Sequence, residues 1–408
     1  MAVRATEVDR TPARPLEGVR VLDLSSFIAG PFGASILGEF GAEVIKVEHP
    51  DGGEAGRQFG TPTAIKDLSL SFQNDNRNKV SVTMDLKSAE DQARLLELAR
   101  RSDVLIENFR PGTLERWNLG PDALHRANPA MVVCRISGYG QTGPYRDRPG
   151  FARIAHAVSG LTHMAGMPDG PPVTPGSSSL ADYFSGMYGA LGVMMALRVA
   201  DRTGKGQVID VALFESIFRI LDETATAYAW NGTVRGREGR MTRQVAPHGH
   251  FQCADRKWVA IACTSDRMWD RLARDVLERP DLADRFPRTA DRLADRDLID
   301  GVVETFTLAH DREEVVRLCT AGDVPCGPVN AIDDIFSDPH FEARGALETF
   351  DHPVLGPLRV PTTFPRLSLT PGRIDMLGPE LGNWNDRIEA LLASSAELRK
   401  ARRKETLE

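Results

Sequence analysis

Asp182 is the residue of this chain whose type and position are best suited to catalysis. It lies in GSSSLADYFSG, residues 176–186, where a serine-rich entry leads into a long apolar helix. Gly186, Gly189 and Gly192 follow at three-residue spacing on one face of that helix, which allows a second backbone or a substrate to approach closely. A carboxylate in a first turn also gains from the helix dipole, so a capping role is the alternative.

Two groups of basic residues could bind a phosphorylated cofactor. Arg77 and Lys79 stand at the entry to a strand in NDNRNKV, residues 74–80. Arg110 and Arg116 follow the end of another buried strand, and ligands of open parallel sheets bind at the carboxyl ends of strands. Charged hydrogen bonds from arginine suit phosphate, although surface arginines scattered through an arginine-rich chain are the alternative.

Other chemical motifs are weak or absent. His248 and His250 suggest a metal, but no third ligand stands at a useful spacing, so no metal site is expected. The chain contains neither a G-x-S-x-G elbow nor a G-x-x-x-x-G-K-[ST] phosphate loop.

The elements that must position these residues begin with a β-α-β unit at residues 16–48. Val19–Leu24 is apolar and predicts a buried strand, Phe32–Phe40 a short helix, and Glu43–Val47 a second strand. Pro31 fits the first helical position, where a missing N–H costs nothing. The turn reads A-G-P-F-G-A rather than G-x-G-x-x-G, so this unit does not predict ordinary NAD binding, although Glu48 occupies the place of a ribose-binding acid.

The remaining pattern predicts an α/β protein in which strands and helices alternate and a parallel sheet forms. Strands are expected at 80–84, 104–107, 131–136 and 207–213, and helices at 88–101, 113–117 and 180–200, with an irregular segment at 138–150. After about residue 231, two strands and three helices predict a smaller α+β domain. The domains are therefore a disordered leader (1–15), the first part of a large domain (16–225), a small domain with linkers (226–335), and a return linker with the end of the large domain (336–408), which closes with an amphipathic helix at 385–404.

Composition places the chain among ordinary globular proteins. It has 408 residues, of which 41% are hydrophobic and 26% charged, and a net charge of −7. That balance argues against nucleic acid as a partner, and the most apolar stretch, 187–200, is too short to span a bilayer. The five cysteines form no C-x-x-C pair and are odd in number, which indicates free thiols in a reducing cytoplasm.

Taken together, several segments resemble the family III CoA-transferases, the family of formyl-CoA transferase and carnitine CoA-transferase. The matching strings lie in one order over most of the chain: GVRVLDLSSFIAGP, GAEVIKVE, NRNKVSV, LIENFRPGTLERW, ISGYGQTGPYRDRPGF, LADYFSG, TGKGQVIDVALFES and DVPCGPVNAIDDIFSDPHF. The resemblance implies a Rossmann-like large domain built from both ends of the chain, a smaller domain, and two identical chains interlocked as a homodimer.

The resemblance also implies a covalent mechanism in which Asp182 is the nucleophile and coenzyme A is substrate and product rather than a permanently bound cofactor. It assigns contacts with CoA to a set of residues along the first domain. They are Ile28, Ala29, His49, Arg77, Asn78, Lys79, Asn108, Phe109, Arg110, Arg116, Gly138 and Tyr139.

This chain departs from the family pattern in ways that bear on its substrate. Ile28 replaces a glutamine of formyl-CoA transferase, APHGHFQCAD at 246–255 stands where that enzyme has a glycine-rich loop, and GNWN at 382–385 replaces the usual G-E/Q-H-T. These changes argue against a small oxalate-like acid. The arginine-rich segment 231–250 makes dicarboxylates such as succinate, with succinyl-CoA as donor, candidate substrates.

Two alternatives stay open at the level of sequence. An α-methylacyl-CoA racemase of the same fold needs a histidine and an aspartate across the α-carbon, but Phe151 follows the R-x-G string and the next histidine is His156. The chain could also be a CoA-binding subunit of a heteromeric transferase, against which the presence of Asp182 argues.

Overall fold

Six parallel strands form the main sheet in a computed structural model of the protein, which describes residues 14–176 and 178–393. The strands are β1 (Arg20–Asp23), β2 (Glu43–Glu48), β3 (Lys79–Thr83), β4 (Val104–Glu107), β5 (Val132–Ser137) and β6 (Val208–Ala212). Their order is β3-β2-β1-β4-β5-β6, with every neighbouring pair parallel. This is the strand order of a Rossmann fold, so the predicted parallel α/β sheet is confirmed.

The central strands are buried along their whole length because helices cover both faces of the sheet. All residues of β4 and β5 are buried, as their mainly apolar sequences predict, and their two charged residues, Glu107 and Arg135, pair with each other at 2.7 Å. Leu22, Ile45, Val82, Leu105 and Val133 from five of the strands join one hydrophobic cluster. The sheet is therefore a rigid support for residues at its carboxyl edge.

Most helices of the first 231 residues belong to the compact unit that contains this sheet, whereas two of them, Leu161–Met164 and Thr224–Asn231, cross into a second unit. The helices are α1 (Ala29–Glu39), α2 (Leu70–Asp75), α3 (Ala89–Arg100), α4 (Thr113–Arg116), α5 (Pro121–Ala127), α6 (Ala152–Ser159), α7 (Leu161–Met164), α8 (Leu180–Thr203), α9 (Leu213–Phe218) and α10 (Thr224–Asn231). Residues 138–150 contain neither helix nor strand, as predicted.

Helix α1 begins earlier than the sequence predicted. Its first residue is Ala29, so Pro31 is the third helical residue rather than the first. This remains compatible with proline because none of the first four N–H groups of a helix has an intrahelical acceptor. Gly30 makes the early start possible, since a residue before proline is kept out of the helical region partly by its own Cβ, which glycine lacks.

The glycines of α8 pack closely against other elements, as their spacing predicted. A Cβ on Gly186 would lie 2.5 Å from the backbone oxygen of Ala29, and one on Gly33 would lie 2.8 Å from the oxygen of Gly186. A Cβ on Gly189 would lie 3.3 Å from Sγ of Cys134 on β5. The backbone contact of α1 with α8 therefore depends on missing side chains at Gly33 and Gly186.

A second compact unit comprises residues 162–175 and 226–344. Its sheet contains β7 (His248–Gln252), β8 (Trp258–Ala262) and β9 (Cys326–Pro328), all antiparallel. Its helices are α11 (Asp266–Arg271), α12 (Pro280–Arg285), α13 (Thr289–Ala294), α14 (Arg296–Leu308), α15 (Arg312–Ala321), α16 (Ile332–Ser337) and α17 (Pro339–Ala343), and a π-helical segment at Leu272–Val276 continues α11. Phe251, Val259, Trp269 and Val303 lie in its own hydrophobic core, which makes it a separate folding unit.

Residues 345–393 belong again to the first unit. An antiparallel hairpin of β10 (Leu347–His352) and β11 (Gly356–Pro361) occupies part of the segment predicted as a linker. Helix α18 spans Asn385–Ala393. The leader predicted at 1–15 lies almost entirely outside the described residues, and so does the rest of the helix predicted to reach residue 404.

The described ranges contain neither a membrane-spanning helix nor a cluster of metal-ligating side chains. Within residues 14–176 and 178–393, no helix is long and apolar enough to cross a membrane. The same part of the chain brings no three His, Cys, Asp or Glu side chains together in a way that could hold a metal ion.

Candidate active site

A cavity of about 260 Å³ opens at the carboxyl ends of β1, β4, β5 and β6. Strands β1 and β4 are neighbours at which the chain order of the sheet reverses, and ligands of open α/β sheets bind at such a switch point. The lining residues are 26–29, 108–111, 136–138, Arg146, 148–151, Asp182 and Leu213. Seven of the residues assigned from the sequence meet here: Ile28, Ala29, Asn108, Phe109, Arg110, Gly138 and Asp182.

Asp182 lies in the first turn of α8 and is only partly exposed. Burial first, and then the charge of nearby Asp75, raise the pKa of the Asp182 carboxyl from 3.8 to about 7. A helix N-terminus stabilises an anion by about 0.3–1 kcal/mol at an exposed site, which would lower the pKa, so loss of hydration outweighs the dipole here. The result is a carboxylate of unusually high basicity on the wall of a cavity.

His156 of α6 caps the helix that carries Asp182. The backbone N–H of Ala181 donates to Nε2 of His156 at 3.0 Å, and the imidazole is 1% exposed. Burial, and secondly Arg153, lower the pKa of His156, which favours the neutral form that can accept this bond. His156 therefore fixes the start of α8 and does not line the cavity.

The start of α1 faces the same cavity. Ile28 precedes the helix without providing a side-chain cap, and Ile28 and Ala29 both line the cavity. Unfilled N–H groups and the positive end of the helix dipole favour negative charge at this point. By contrast, the N–H groups of Ala181, Asp182 and Tyr183 on α8 already donate to His156 and to the Ser179 carbonyl.

The segment after β5 forms the opposite wall. Gly138 and Gly150 touch through their backbones, since a Cβ on Gly138 would lie 2.9 Å from Cα of Gly150. Asp210 at β6 accepts the N–H of Gln141 with both carboxylate oxygens, at 3.1 and 2.9 Å. These contacts place Gly138 on the cavity.

Aromatic contacts surround the predicted contact residue Tyr139. Its ring packs edge-to-face on Tyr145, with the centroids 5.8 Å apart, and lies 6.1 Å from the ring of Phe214. Tyr139 is therefore next to the cavity segment but is not among the residues that line the cavity.

Three arginines make the cavity cationic. Arg110 follows β4, and Arg146 and Arg148 belong to the segment after β5. Arg148 stacks on Tyr145, with its guanidinium carbon 3.6 Å from the ring centroid. Arg146 and Arg148 were missed by the sequence reasoning, although the string GPYRDRPG places both on a loop at the carboxyl edge of the sheet.

Lys79 was assigned to CoA phosphate from the sequence, and the structure corrects this. Its side chain is fully buried, and Nζ donates to Asp23 at 2.8 Å, to the Pro31 carbonyl at 2.7 Å and to Asn76 at 2.8 Å. Burial lowers the pKa of Lys79 to about 8 although Asp23 opposes that shift. Lys79 joins β1, α1 and β3 and has no path to a ligand.

Arg77 and Asn78 are corrected for the same reason. Arg77 pairs with Glu39 at 3.2 Å and donates to the Pro361 carbonyl at 2.6 Å. Asn78 has a positive φ of 57° and donates to the Arg373 carbonyl at 2.6 Å. Both side chains hold the returning C-terminal segment in place, so the structure brings neither to the cavity.

His49 lines a second cavity, of about 200 Å³, which shares Ser26 and Phe109 with the first. Lys87 and Trp117 also line it. Lys87 is exposed and was missed, although it follows the end of β3 and the carboxyl-edge rule points to it.

Arg116 is exposed on α4, next to this second cavity but not among its lining residues. Its Nη2 atom donates to the Thr113 hydroxyl at 2.9 Å. The guanidinium retains further donors, since arginine carries five.

Glu48 also lines the second cavity, but its carboxylate is already engaged within the protein. Its carboxylate is 3% exposed, and it accepts bonds of 2.6 and 2.7 Å from Arg57 and one of 2.6 Å from Ser81. Burial would raise the pKa of Glu48, but these bonds and the charges of Lys46 and Arg57 outweigh it and lower the pKa. An acid at the end of the second strand is here part of the core.

Comparisons with known proteins agree with this geometry. The family described as CoA-transferase family III matches residues 16–385. The alpha subunit of succinyl-CoA–L-malate CoA-transferase from Chloroflexus aurantiacus is 49% identical over 95% of this chain and 91% of its own length. The beta subunit from the same organism is 50% identical over 93% of this chain and 94% of its own.

A solved structure supports the fold. The crystal structure of a CAIB/BAIF family protein from Brucella suis superposes with a TM-score of 0.82 at 32% identity, covering 93% of this chain and all of that one.

Proposed function

The chain belongs to CoA-transferase family III, and we propose that it moves coenzyme A from succinyl-CoA to a small carboxylic acid through acyl adducts on Asp182. The observation that carries this proposal is the position of Asp182. Its carboxylate stands on the wall of a cavity at the switch point of the sheet, with a raised pKa and with the N-terminus of α1 on the same cavity. High basicity favours attack on a thioester carbonyl.

The proposed reaction proceeds through four acyl transfers. An oxygen of Asp182 attacks the thioester carbonyl of the donor, the C–S bond breaks, and a mixed anhydride and CoA thiolate result. The thiolate then attacks the aspartyl carbonyl, which releases the donor acid and leaves an aspartyl-CoA thioester. The carboxylate of the acceptor attacks that carbonyl and displaces the thiolate, which finally attacks the acceptor carbonyl and restores Asp182. Each step exchanges one acyl bond for another, so no redox partner and no net proton are required.

Oxyanion stabilisation is assigned to the start of α1. Each tetrahedral intermediate places negative charge on a carbonyl oxygen, which preorganised N–H donors stabilise. In the first turn of α1, Pro31 has no N–H and Phe32 donates to the Ile28 carbonyl, which leaves the N–H groups of Ala29 and Gly30 for this role. The first-turn N–H groups of α8 already donate to protein acceptors. Removal of one such donor typically costs 10²–10³ in kcat.

The cationic lining supports a dicarboxylate substrate. Arg110, Arg146 and Arg148 can each form charge-assisted hydrogen bonds with the carboxylate that does not react. Two relatives that are about half identical to this chain bear names in which succinyl-CoA is the donor and L-malate the acceptor. Succinyl-CoA and a four-carbon dicarboxylate such as malate are therefore the substrates to test first.

The two cavities that share Ser26 and Phe109 form the proposed path of CoA. The thiol end lies near Asp182, the pantetheine passes Asn108 and Phe109, and the phosphates lie towards His49, Lys87 and Arg116. These basic side chains are exposed, which suits them to bind phosphate.

We further propose that two copies of this chain form the active enzyme. Helix α8 exposes a row of apolar side chains, Met187, Leu191, Met194, Met195 and Val199, each more than 40% exposed. An apolar face of this size on one helix is typical of an interface. The chain is 49% identical to the alpha subunit and 50% identical to the beta subunit of the relative, so its sequence favours neither subunit position. The proposal is that two copies of the chain fill both positions.

Mapping the adduct tests the proposal. The purified chain is incubated with succinyl-CoA alone, quenched, and treated with hydroxylamine, which converts an acylated carboxyl to a hydroxamate detectable by peptide mass spectrometry. A modification confined to Asp182, with conversion of malate to its CoA ester once malate is added, supports the proposal. An unmodified Asp182 in a protein that turns over removes the covalent mechanism, and inactivity that only a second chain restores removes the homodimer.

A further inference from the structure

Asp75 is a buried acid that forms no ion pair with any residue of the described ranges. It is the last residue of α2 and 1% exposed. Within the described ranges its carboxylate is bound by the Tyr183 hydroxyl at 3.3 Å and by the Asn74 amide at 3.0 Å. A buried carboxylate at a helix C-terminus is unfavourable both for lack of hydration and for the dipole. Such a cost is typical of residues with a functional role.

Tyr183 connects Asp75 to the proposed nucleophile. It follows Asp182 in the first turn of α8, and its ring packs edge-to-face on Phe32 of α1 with the centroids 4.9 Å apart. The hydroxyl thus spans from α8 to the end of α2. Because Tyr183 is the neighbour of Asp182 in the chain, this hydrogen bond holds the Asp75 carboxylate against the turn of α8 that carries Asp182, and the charge of Asp75 raises the pKa of Asp182.

The charges around Asp75 leave it only partly compensated. Lys79 donates to the backbone oxygen of Asp75 at 3.4 Å, but its ammonium is closer to Asp23, and Arg77 is paired with Glu39. Burial raises the pKa of Asp75 to about 6, against the hydrogen bonds from Asn74 and Tyr183 and the charges of Lys79 and Arg77. Near neutral pH Asp75 is therefore mainly ionised.

The groups around Asp182 come from three further elements. His156 of α6 accepts a bond from the adjacent Ala181 and is kept neutral by burial. Arg110, Arg146 and Arg148 line the same cavity and act in the opposite direction from Asp75.

We propose that Asp75 is a positioning residue for the transfer proposed above, and that its buried charge, held by Tyr183, destabilises the Asp182 anion relative to the neutral aspartyl anhydride and thioester. The inference rests on the proposed function, because it concerns the same adducts. Acylation and protonation both remove the negative charge of Asp182, so a neighbouring anion favours both by the same interaction. Asp75 thereby makes the carboxylate a better nucleophile and lets its adducts accumulate.

The acid limb of the pH profile and the level of the aspartyl-CoA adduct should therefore change together when Asp75 is replaced. In Asp75→Asn the acid limb of the pH profile of kcat/KM should shift to lower pH by about one unit, which is tenfold in the ionisation equilibrium. The amount of aspartyl-CoA thioester at equilibrium should fall by the same factor, about tenfold. The KM for succinyl-CoA should change little, since Asp75 does not line either cavity.

The experiment measures both quantities in the full-length protein, in wild type, Asp75→Asn, Asp75→Glu and Tyr183→Phe. Asp75→Glu keeps the charge and should restore both values. Tyr183→Phe removes the hydrogen bond that stabilises the Asp75 anion. It should shift the acid limb and the adduct level in the same direction as Asp75→Asn but by a smaller amount, and it keeps the proposal testable if Asp75→Asn does not fold.

The outcomes separate the two proposals. A wild-type protein without an adduct on Asp182 refutes the covalent function itself. A wild type with the adduct, together with variants whose pH limb and adduct level are unchanged, overturns the role of Asp75 alone. A fall in activity at all pH values, with the limb in place, indicates a merely structural role and also overturns it.

Discussion

Replacing Asp182 by asparagine should abolish transfer and, at the same time, stabilise the large unit at alkaline pH. The side chains have nearly the same shape, so the cavity is preserved while the buried charge is removed. In wild type the pKa of Asp182 is raised from 3.8 to about 7 by burial, with Asp75 adding to it. Ionisation of this carboxyl at pH 8 therefore lowers the free energy of unfolding of the wild type, and the variant, which has no charge at this position, does not show this loss.

The magnitude follows from proton linkage. Between pH 3.8 and about 7 the folded protein keeps this proton while the unfolded chain has lost it, so the stability of wild type falls as pH rises. Each pKa unit corresponds to about 1.4 kcal/mol, so the full shift is worth at most about 4 kcal/mol. The advantage of Asp182→Asn should be near zero at pH 4, grow steadily to pH 7, and remain constant above it.

Thermal unfolding by scanning calorimetry, at pH 5 and pH 8, measures this advantage, and transfer from succinyl-CoA to malate measures activity. Asp122→Asn is the matched control, because Asp122 is also a first-turn acid but is exposed on α5. It should lose about 0.3–1 kcal/mol through the helix dipole and retain activity. If Asp182→Asn gains no more stability at pH 8 than at pH 5, the argument from burial is wrong; if it still transfers CoA, the assignment of the nucleophile is wrong.

Two further substitutions test the CoA path and the helix contact. Lys87→Ala should weaken binding of succinyl-CoA by about 1–3 kcal/mol, the value of a charged hydrogen bond. Lys66→Ala is the control and should leave binding unchanged, because the Lys66 side chain is 93% exposed and lines neither cavity. Calorimetric titration measures both affinities, and equal affinities would remove Lys87 from the proposed CoA path. Gly186→Ala should destabilise the protein by about 1–3 kcal/mol, since the new methyl would lie 2.5 Å from the Ala29 oxygen. Gly301→Ala is the control and should stabilise the protein by up to about 1 kcal/mol, because Gly301 has open space around it. Denaturant unfolding measures both changes, and an undiminished stability of Gly186→Ala would contradict the packing of α1 on α8.

The sequence predicts the sheet well because each central strand is a short, buried, β-branched run. Val104–Glu107 was predicted with its observed bounds. The strand ends then predict the cavity, since residues that follow β1, β4 and β5 must meet at one edge. What local sequence cannot show is the partner of a charged residue. Lys79 resembles a surface cation until Asp23, 56 positions away, is brought beside it.

The same limit explains the residues that were missed. Arg146 and Arg148 lie in an irregular segment whose course depends on the contact of Gly138 with Gly150 and on Asp210. No periodicity marks such a course, so the sequence could predict the loop but not which of its side chains face the cavity. Lys87 could have been found, because it follows a predicted strand.

The glycines of the opening unit show how a Rossmann sheet can position Asp182, the proposed nucleophile. In dinucleotide-binding proteins the glycines of the first turn let the backbone approach a pyrophosphate. Here Gly33 lies within α1, and its missing side chain admits Gly186 of α8. The close approach is thus between two helices rather than between backbone and ligand. Because Asp182 lies one turn before Gly186, the contact sets the start of α8, with its carboxylate, beside the N-terminus of α1 at the switch point of the sheet. The glycine of the opening unit and the position of the proposed nucleophile are therefore linked through one contact between helices.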